Sequence, residues 1–195
     1  MKWLDFEREI KRKNITLFTP LDVQRFLRRS KMASQFLVYR LKKKGYIVSV
    51  KRGLYKLSDS QISDLYVANK IYSPSYVSLE FALSYYGIIP ENVYEITSVT
   101  TKATRRFETL GKIFSYRKIK KTAYTGYEIQ KQQGLSFYIA DAEKAFVDEN
   151  YLRLMNKQKP ISRFNKNKIN SKKALHYAKL FGNNKLTSII KTTLL

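Results

Sequence analysis

Apolar residues recur at helical spacing three times within the first 45 residues. This pattern predicts three short helices, over residues 3–13, 20–28 and 31–44. Thr19 and Ser30 precede the second and third helices, where a hydroxyl can accept hydrogen bonds from the first free backbone N–H groups. The N-terminal part of the chain is therefore predicted to be a small helical domain.

The third predicted helix has two faces of different character. The face expected to turn toward the core carries Ala33, Phe36, Leu37 and Leu41. The opposite face is expected to carry Lys31, Gln35, Val38 and Lys42, flanked by Ser34 and Tyr39. Three lysines precede Gly45, and cations are favoured near the last carbonyls of a helix, whereas glycine tolerates the left-handed conformation that ends one.

A change of period after Gly45 predicts a β-hairpin. β-Forming residues occupy 46–50 and 54–57, on either side of a turn that contains Lys51, Arg52 and Gly53. A helix followed by a hairpin with a cationic tip is the arrangement in which a winged helix-turn-helix binds DNA. The alternative is a basic helix whose charges are only solvated.

In the DNA-binding interpretation, the basic and polar residues have separate roles. The residues expected to neutralise phosphates are Lys31, Lys42, Lys51 and Arg52. Those expected to lie nearest to base edges are Ser34, Gln35, Val38 and Tyr39. Among them Gln35 matches adenine, which presents a donor and an acceptor in the major groove.

The charge of the whole chain agrees with an anionic partner. The 195 residues include 38 Lys and Arg but only 15 Asp and Glu, a formal net charge of +23. Nucleic acid is the first partner that such a charge indicates, and an anionic membrane surface is the second. No apolar run is long enough to span a bilayer, and the charged N-terminus does not resemble a secretory signal, so we expect a soluble, cytoplasmic protein.

The composition argues against metal and cofactor sites. The chain has no cysteine, and its only histidine is His176, which excludes disulfides and thiolate metal sites. No glycine-rich phosphate-binding pattern is present. We therefore expect no metal and no cofactor.

The second half of the chain predicts an α+β domain. A linking helix is expected over residues 59–74, between an N-terminal domain of residues 1–58 and a C-terminal domain of residues 75–195. Strands are predicted at 94–100, 107–109, 112–119, 124–129 and 135–139, and helices at 79–86, 142–155, from 171 and from 186. The predicted fold is a winged helix-turn-helix followed by a mixed domain, with a mostly antiparallel sheet and flanking helices.

Two blocks of sequence resemble a known family. The first ends in Arg52-Gly53-Leu54-Tyr55, and the second runs over residues 75–120 and continues with IADAEKAFVD at residues 139–148. Together they resemble the AbiEi antitoxin family, winged-helix regulators of type IV toxin–antitoxin systems that protect bacteria against phage. The tail after Met155 matches this family weakly.

The resemblance implies two activities. The N-terminal domain would bind inverted repeats in the promoter of its own operon and repress it, and a symmetric operator would take two protomers. The C-terminal domain would oppose a nucleotidyltransferase-like toxin without forming a stable complex with it.

Two further groups of residues suggest chemistry in the second half. A second phosphate or nucleic-acid patch is a candidate at Thr101, Lys102, Arg105, Arg106 and Arg117, and its alternative is a structural loop with a basic face.

A metal-dependent nuclease would need carboxylates and a lysine, and these are present at Asp141, Glu143, Lys144 and Asp148. Asp141 is better explained as a helix N-cap and Glu143 as a first-turn acid. We interpret the chain as non-enzymatic, with a general RNA-binding protein as the main alternative and a nuclease as the lesser one.

Overall fold

A computed structural model describes residues 3–194. The chain forms two compact units, and the boundary between them in the sequence falls between Ile62 and Ser63. The first unit contains three helices and a hairpin. Its elements are α1 (Trp3–Arg12), α2 (Pro20–Leu27), α3 (Lys31–Lys43), β1 (Ile47–Lys51) and β2 (Leu54–Leu57). The three helices and both hairpin strands that the sequence predicts are confirmed, with bounds that differ by one or two residues.

Local hydrogen bonds explain where the helices of the first unit begin. Thr19 and Asp22 form a reciprocal capping box: the Asp22 N–H donates to the Thr19 hydroxyl at 3.3 Å, and the Thr19 N–H donates to the Asp22 carboxylate at 2.7 Å. The Ser30 hydroxyl accepts from the N–H of Ala33 at 3.2 Å. Both N-caps were predicted from the sequence and both are confirmed.

The hairpin of the first unit is antiparallel and is joined by a third short segment. Phe18 and Tyr55 exchange both backbone hydrogen bonds, each 2.9 Å long, in a bridge outside the two strands. The segment that precedes α2 is thereby tied to the hairpin. The buried cluster inside this unit contains Phe6, Ile10, Phe18, Val23, Leu27, Leu37, Val38, Leu41, Ile47 and Leu57.

The second unit is built on one mixed six-stranded sheet. Its strands are β3 (Ser75–Val77), β4 (Ile96–Thr100), β5 (Arg105–Thr109), β6 (Lys112–Lys118), β7 (Tyr127–Gln132) and β8 (Leu135–Ala140). The spatial order is β5-β6-β4-β3-β8-β7, in which β4–β6 and β3–β8 are parallel and the other neighbours antiparallel. The protein is therefore α+β, and its main sheet combines both kinds of pairing.

The helices of the second unit are α4 (Asp64–Ile71), α5 (Leu79–Tyr85), α6 (Ala142–Met155), α7 (Ser171–Leu180) and α8 (Asn184–Leu194). Helix α4 packs on the sheet, where the Asn69 side chain accepts a hydrogen bond from the N–H of Tyr138 at 2.5 Å. Helix α6 packs against α5, α7 and α8, so that nearly its whole surface is buried. None of the helices within residues 3–194 is long and apolar enough to cross a membrane.

Candidate nucleic-acid interface

The structure corrects the assignment of faces on α3. The buried stripe of this helix consists of Ser34, Leu37, Val38 and Leu41. Ser34 is 1% exposed and Val38 is 3% exposed, so neither side chain can reach a base edge, contrary to the prediction for both. Phe36, which was expected in the core, is 63% exposed.

Hydrogen bonding explains why a serine occupies the buried stripe. The Ser34 hydroxyl donates to the backbone carbonyl of Ser30 at 2.9 Å, so its burial leaves no unsatisfied donor. Val38 and Leu41, one turn or two further along, belong to the buried cluster of the unit. Ser34 therefore lies on the inner face beside leucine and valine, whereas the larger Phe36 lies on the outer face.

The outer face of α3 presents four neighbouring side chains at helical spacing. Met32 is 68% exposed and Tyr39 is 65% exposed, and Gln35 and Phe36 lie between them. These four residues line a shallow depression of about 510 Å³ on the helix surface. The sequence analysis placed Gln35 and Tyr39 on this face but not Met32 and Phe36. Those two residues lie seven and three positions before Tyr39, a helical spacing that a buried stripe would also have.

The predicted phosphate contacts are mostly accessible. Lys31 and Lys42 are exposed at the two ends of α3, and Arg52 is exposed at the tip of the hairpin, whereas Lys51 is half-buried. The tip turns at Gly53, whose positive φ of 79° favours glycine. A shift of register between Ser49 and Lys51 distorts the strand just before this tip.

The stretch of sequence that contains α3 and the hairpin carries charge of one sign. The sequence has no Asp or Glu between Asp22 and Asp59. The basic residues in that interval are Arg25, Arg28, Arg29, Lys31, Arg40, Lys42, Lys43, Lys44, Lys51, Arg52 and Lys56. Such an interval produces a positive potential that attracts a polyanion.

Three acidic residues of the first unit form ion pairs with basic residues at the end of α1. Glu9 pairs with Arg12 at 2.8 Å and with Lys13 at 3.1 Å, and these hydrogen bonds lower the pKa of Glu9 to about 2. Lys11 bridges Glu7 and Asp59, and its hydrogen bond lowers the pKa of Asp59. Glu7, Glu9 and Asp59 are thus paired with Lys11, Arg12 and Lys13.

The candidate second patch does not form one surface. Arg105 is paired with Tyr116 across the sheet and Arg106 with Ser115, so Arg106 and Arg117 lie on one face and Arg105 on the other. Arg106 also forms an ion pair with Glu108. Thr101, of intermediate exposure, and the exposed Lys102 follow the end of β4, where the Lys102 ammonium donates to the Ser73 carbonyl at 2.6 Å and lies over the Tyr72 ring.

The acidic residues near the start of α6 make structural contacts. Asp141 is the N-cap, as predicted, and accepts from the N–H of Lys144 at 2.8 Å. Its second carboxylate oxygen accepts from the Tyr177 hydroxyl at 2.7 Å. Glu143 accepts from the N–H of Asn170 at 3.0 Å and pairs with Lys173 at 3.0 Å. Although burial opposes ionisation, these two contacts lower the pKa of Glu143.

A buried ion pair lies one turn further along α6. Lys144 and Asp148 are both fully buried and form an ion pair. Asp148 also accepts hydrogen bonds from the hydroxyls of Ser78, at 2.9 Å, and Tyr76, at 3.1 Å. Burial raises the pKa of Asp148, an effect that the three donors oppose. Within residues 3–194 no three His, Cys, Asp or Glu side chains are grouped so that they could hold a metal ion.

The two units therefore offer different chemistry. The outer face of α3 and the hairpin tip can bind an anionic partner by charge and by direct contact, whereas the polar groups around α6 stabilise the second unit.

A scan against models of known protein families found no match for the chain, and a search of curated proteins found none either.

Proposed function

We propose that this protein is a DNA-binding transcriptional regulator that binds the promoter of its own operon through the first unit. The observation that carries the proposal is the outer face of α3, which is exposed, free of acidic residues and followed by a hairpin with a basic tip. The order of elements supports a winged helix-turn-helix, because three helices precede the hairpin and the bridge between Phe18 and Tyr55 ties the segment before α2 to it.

In this mechanism α3 enters the major groove, which is wide enough to admit an α-helix. Gln35 offers a carboxamide that can donate to and accept from one adenine. Lys31 and Lys42 contact phosphates on the two sides of the groove, and Arg52 at the hairpin tip contacts the neighbouring backbone. An inverted repeat in the promoter would be occupied by two protomers, one on each half-site.

An antitoxin role is the second part of the proposal. It rests on the resemblance of residues 75–120 and 139–148 to the AbiEi antitoxin family. In that role the regulator represses a toxin–antitoxin operon, and its second unit opposes a nucleotidyltransferase-like toxin in defence against phage. Co-expression of the neighbouring toxin gene with the wild-type chain should restore growth, and a Gln35→Ala variant should restore it equally while losing repression.

The DNA-binding proposal is tested by fluorescence anisotropy on the DNA upstream of the gene, against a scrambled duplex of equal length, over a series of salt concentrations. We expect a preference for the operator of about 10³-fold or more. Gln35→Ala should reduce that preference, whereas the control Gln158→Ala, at an exposed glutamine of the second unit, should not. Lys42→Ala should weaken binding to both duplexes and lower the salt slope by about one.

Equal and steeply salt-dependent binding to both duplexes would refute the regulator. That outcome would favour the second candidate, a general RNA-binding protein, which the net charge of +23 also fits.

A further inference from the structure

The outer face of α3 is more apolar than phosphate binding needs. Met32, Phe36 and Tyr39 are each more than 60% exposed and lie at i, i+4 and i+7 along the helix. They form a continuous stripe with Gln35, hereafter the outer stripe. Three large apolar side chains together on the surface of one helix indicate a contact surface, because scattered single residues are what ordinary solvent-exposed faces carry.

The charged residues around the outer stripe favour an anionic partner. Lys31, Lys42 and Lys43 lie on the same helix and are exposed, and no acidic residue occurs on α3 or on the hairpin. A partner that covers the outer stripe must therefore bring negative charge to its rim and apolar groups to its centre. The major groove of DNA has both, since phosphates border it and the C5-methyl groups of thymine project into it.

We infer that the outer stripe recognises thymine methyl groups, so that α3 selects an A·T-rich half-site. The inference rests on the proposed DNA-binding function and specifies its target. Gln35 would contact adenine, while Met32, Phe36 and Tyr39 contact methyl groups of the thymines in the same and adjacent base pairs. Direct contact of this kind gives specificity that the basic residues cannot supply, because phosphates are the same in every sequence.

The test replaces thymine by uracil in the operator. This change removes the C5-methyl group and keeps every hydrogen-bonding group of the base pair and every phosphate. The operator is first located by footprinting on the upstream DNA, and binding is then measured by anisotropy on thymine and uracil forms of the operator and of a scrambled duplex. We expect the uracil operator to bind about fourfold more weakly for each methyl group contacted, as for burial of one methylene-sized group. The two scrambled duplexes should bind alike.

Variants connect the methyl effect to the outer stripe. Phe36→Ala should weaken binding to the thymine operator and reduce the difference between the thymine and uracil forms. Phe36 is 63% exposed, so its replacement should leave the fold intact. Tyr94→Ala is the matched control, because Tyr94 is an aromatic residue of the second unit that is 85% exposed. This variant should retain the full methyl effect.

The outcomes separate the inference from the function on which it rests. Equal binding of the thymine and uracil operators, with a preserved preference over the scrambled duplex, would overturn the inference and leave the regulator intact. Loss of any operator preference would overturn both. A Phe36→Ala variant that keeps the methyl effect and instead changes the sedimentation of the free protein would overturn the inference in favour of contact between two copies of the chain.

Discussion

Removal of Asp148 should destabilise the second unit strongly. In the wild type its carboxylate holds the Lys144 ammonium and accepts from the hydroxyls of Tyr76 and Ser78, all of them buried. Asp148→Ala leaves a fully buried ammonium without its counter-charge. Breaking a buried ion pair in this way costs about 3–5 kcal/mol, a large part of the roughly 5–15 kcal/mol by which a domain is stable.

The comparison with a double variant separates the buried charge from the rest of the network. Lys144→Met with Asp148→Leu removes both charges and keeps side chains of similar size. Replacing a buried pair by apolar residues is often neutral or stabilising, so the part of the loss that comes from the unpaired ammonium should return. The hydroxyls of Tyr76 and Ser78 still lose their acceptor, and each such group costs about 1–3 kcal/mol. The double variant should therefore lie between the wild type and Asp148→Ala.

Urea unfolding followed by far-UV circular dichroism measures these differences. With a slope of about 2 kcal/mol per molar, a loss of 3–5 kcal/mol lowers the midpoint by about 2 M. The only tryptophan, Trp3, lies in the first unit, so its fluorescence reports that unit separately and should not change. Lys112→Ala is the control, because Lys112 forms an exposed ion pair with Asp64, and such pairs contribute less than about 1 kcal/mol. The reasoning is refuted if Asp148→Ala costs no more than this control.

Three smaller predictions concern helix ends, backbone conformation and pH. Thr19→Ala removes the capping box of α2 and should cost the first unit about 0.5–2 kcal/mol in urea unfolding followed by Trp3 fluorescence. Gly126→Ala should destabilise more than Gly134→Ala: both have a φ of 74°, but only the first new Cβ meets a tyrosine ring carbon, at 2.7 Å. Glu143 has a lowered pKa, so its ionised form stabilises the folded state above the usual glutamate range. That advantage over Glu143→Gln should disappear in acid, as measured by unfolding at a series of pH values.

Features that depend on contacts between neighbouring residues could be predicted from the sequence. Thr19, Ser30 and Asp141 cap the helices that follow them because each accepts from the backbone N–H three residues further along. Gly45 adopts a positive φ of 74° after α3 for an equally local reason. Helix ends and the hairpin could therefore be predicted without knowledge of tertiary structure.

Features that depend on contacts between distant parts of the chain were harder to predict from the sequence. The order of the six strands depends on which edges meet, and the parallel pairing of β3 with β8 joins residues 77 and 139. Helices α7 and α8 cover α6 in addition to α5, and Lys144 and Asp148 beneath them form an ion pair. Periodicity cannot reveal such burial, because a charged residue with a buried partner has the same pattern as a solvated one.

Helix α3 shows why hydrophobicity alone did not identify the inner face. Two stripes share the same spacing, one with Ser34 and Val38 and the other with Phe36, Gln35 and Tyr39. Burying the second stripe would remove more apolar area from water but would also enclose the carboxamide of Gln35, which costs about 1–3 kcal/mol if unpaired. The first stripe encloses only a hydroxyl that bonds to its own helix, so it packs inside without that cost. The larger side chains are left outside, where their area is available to a partner.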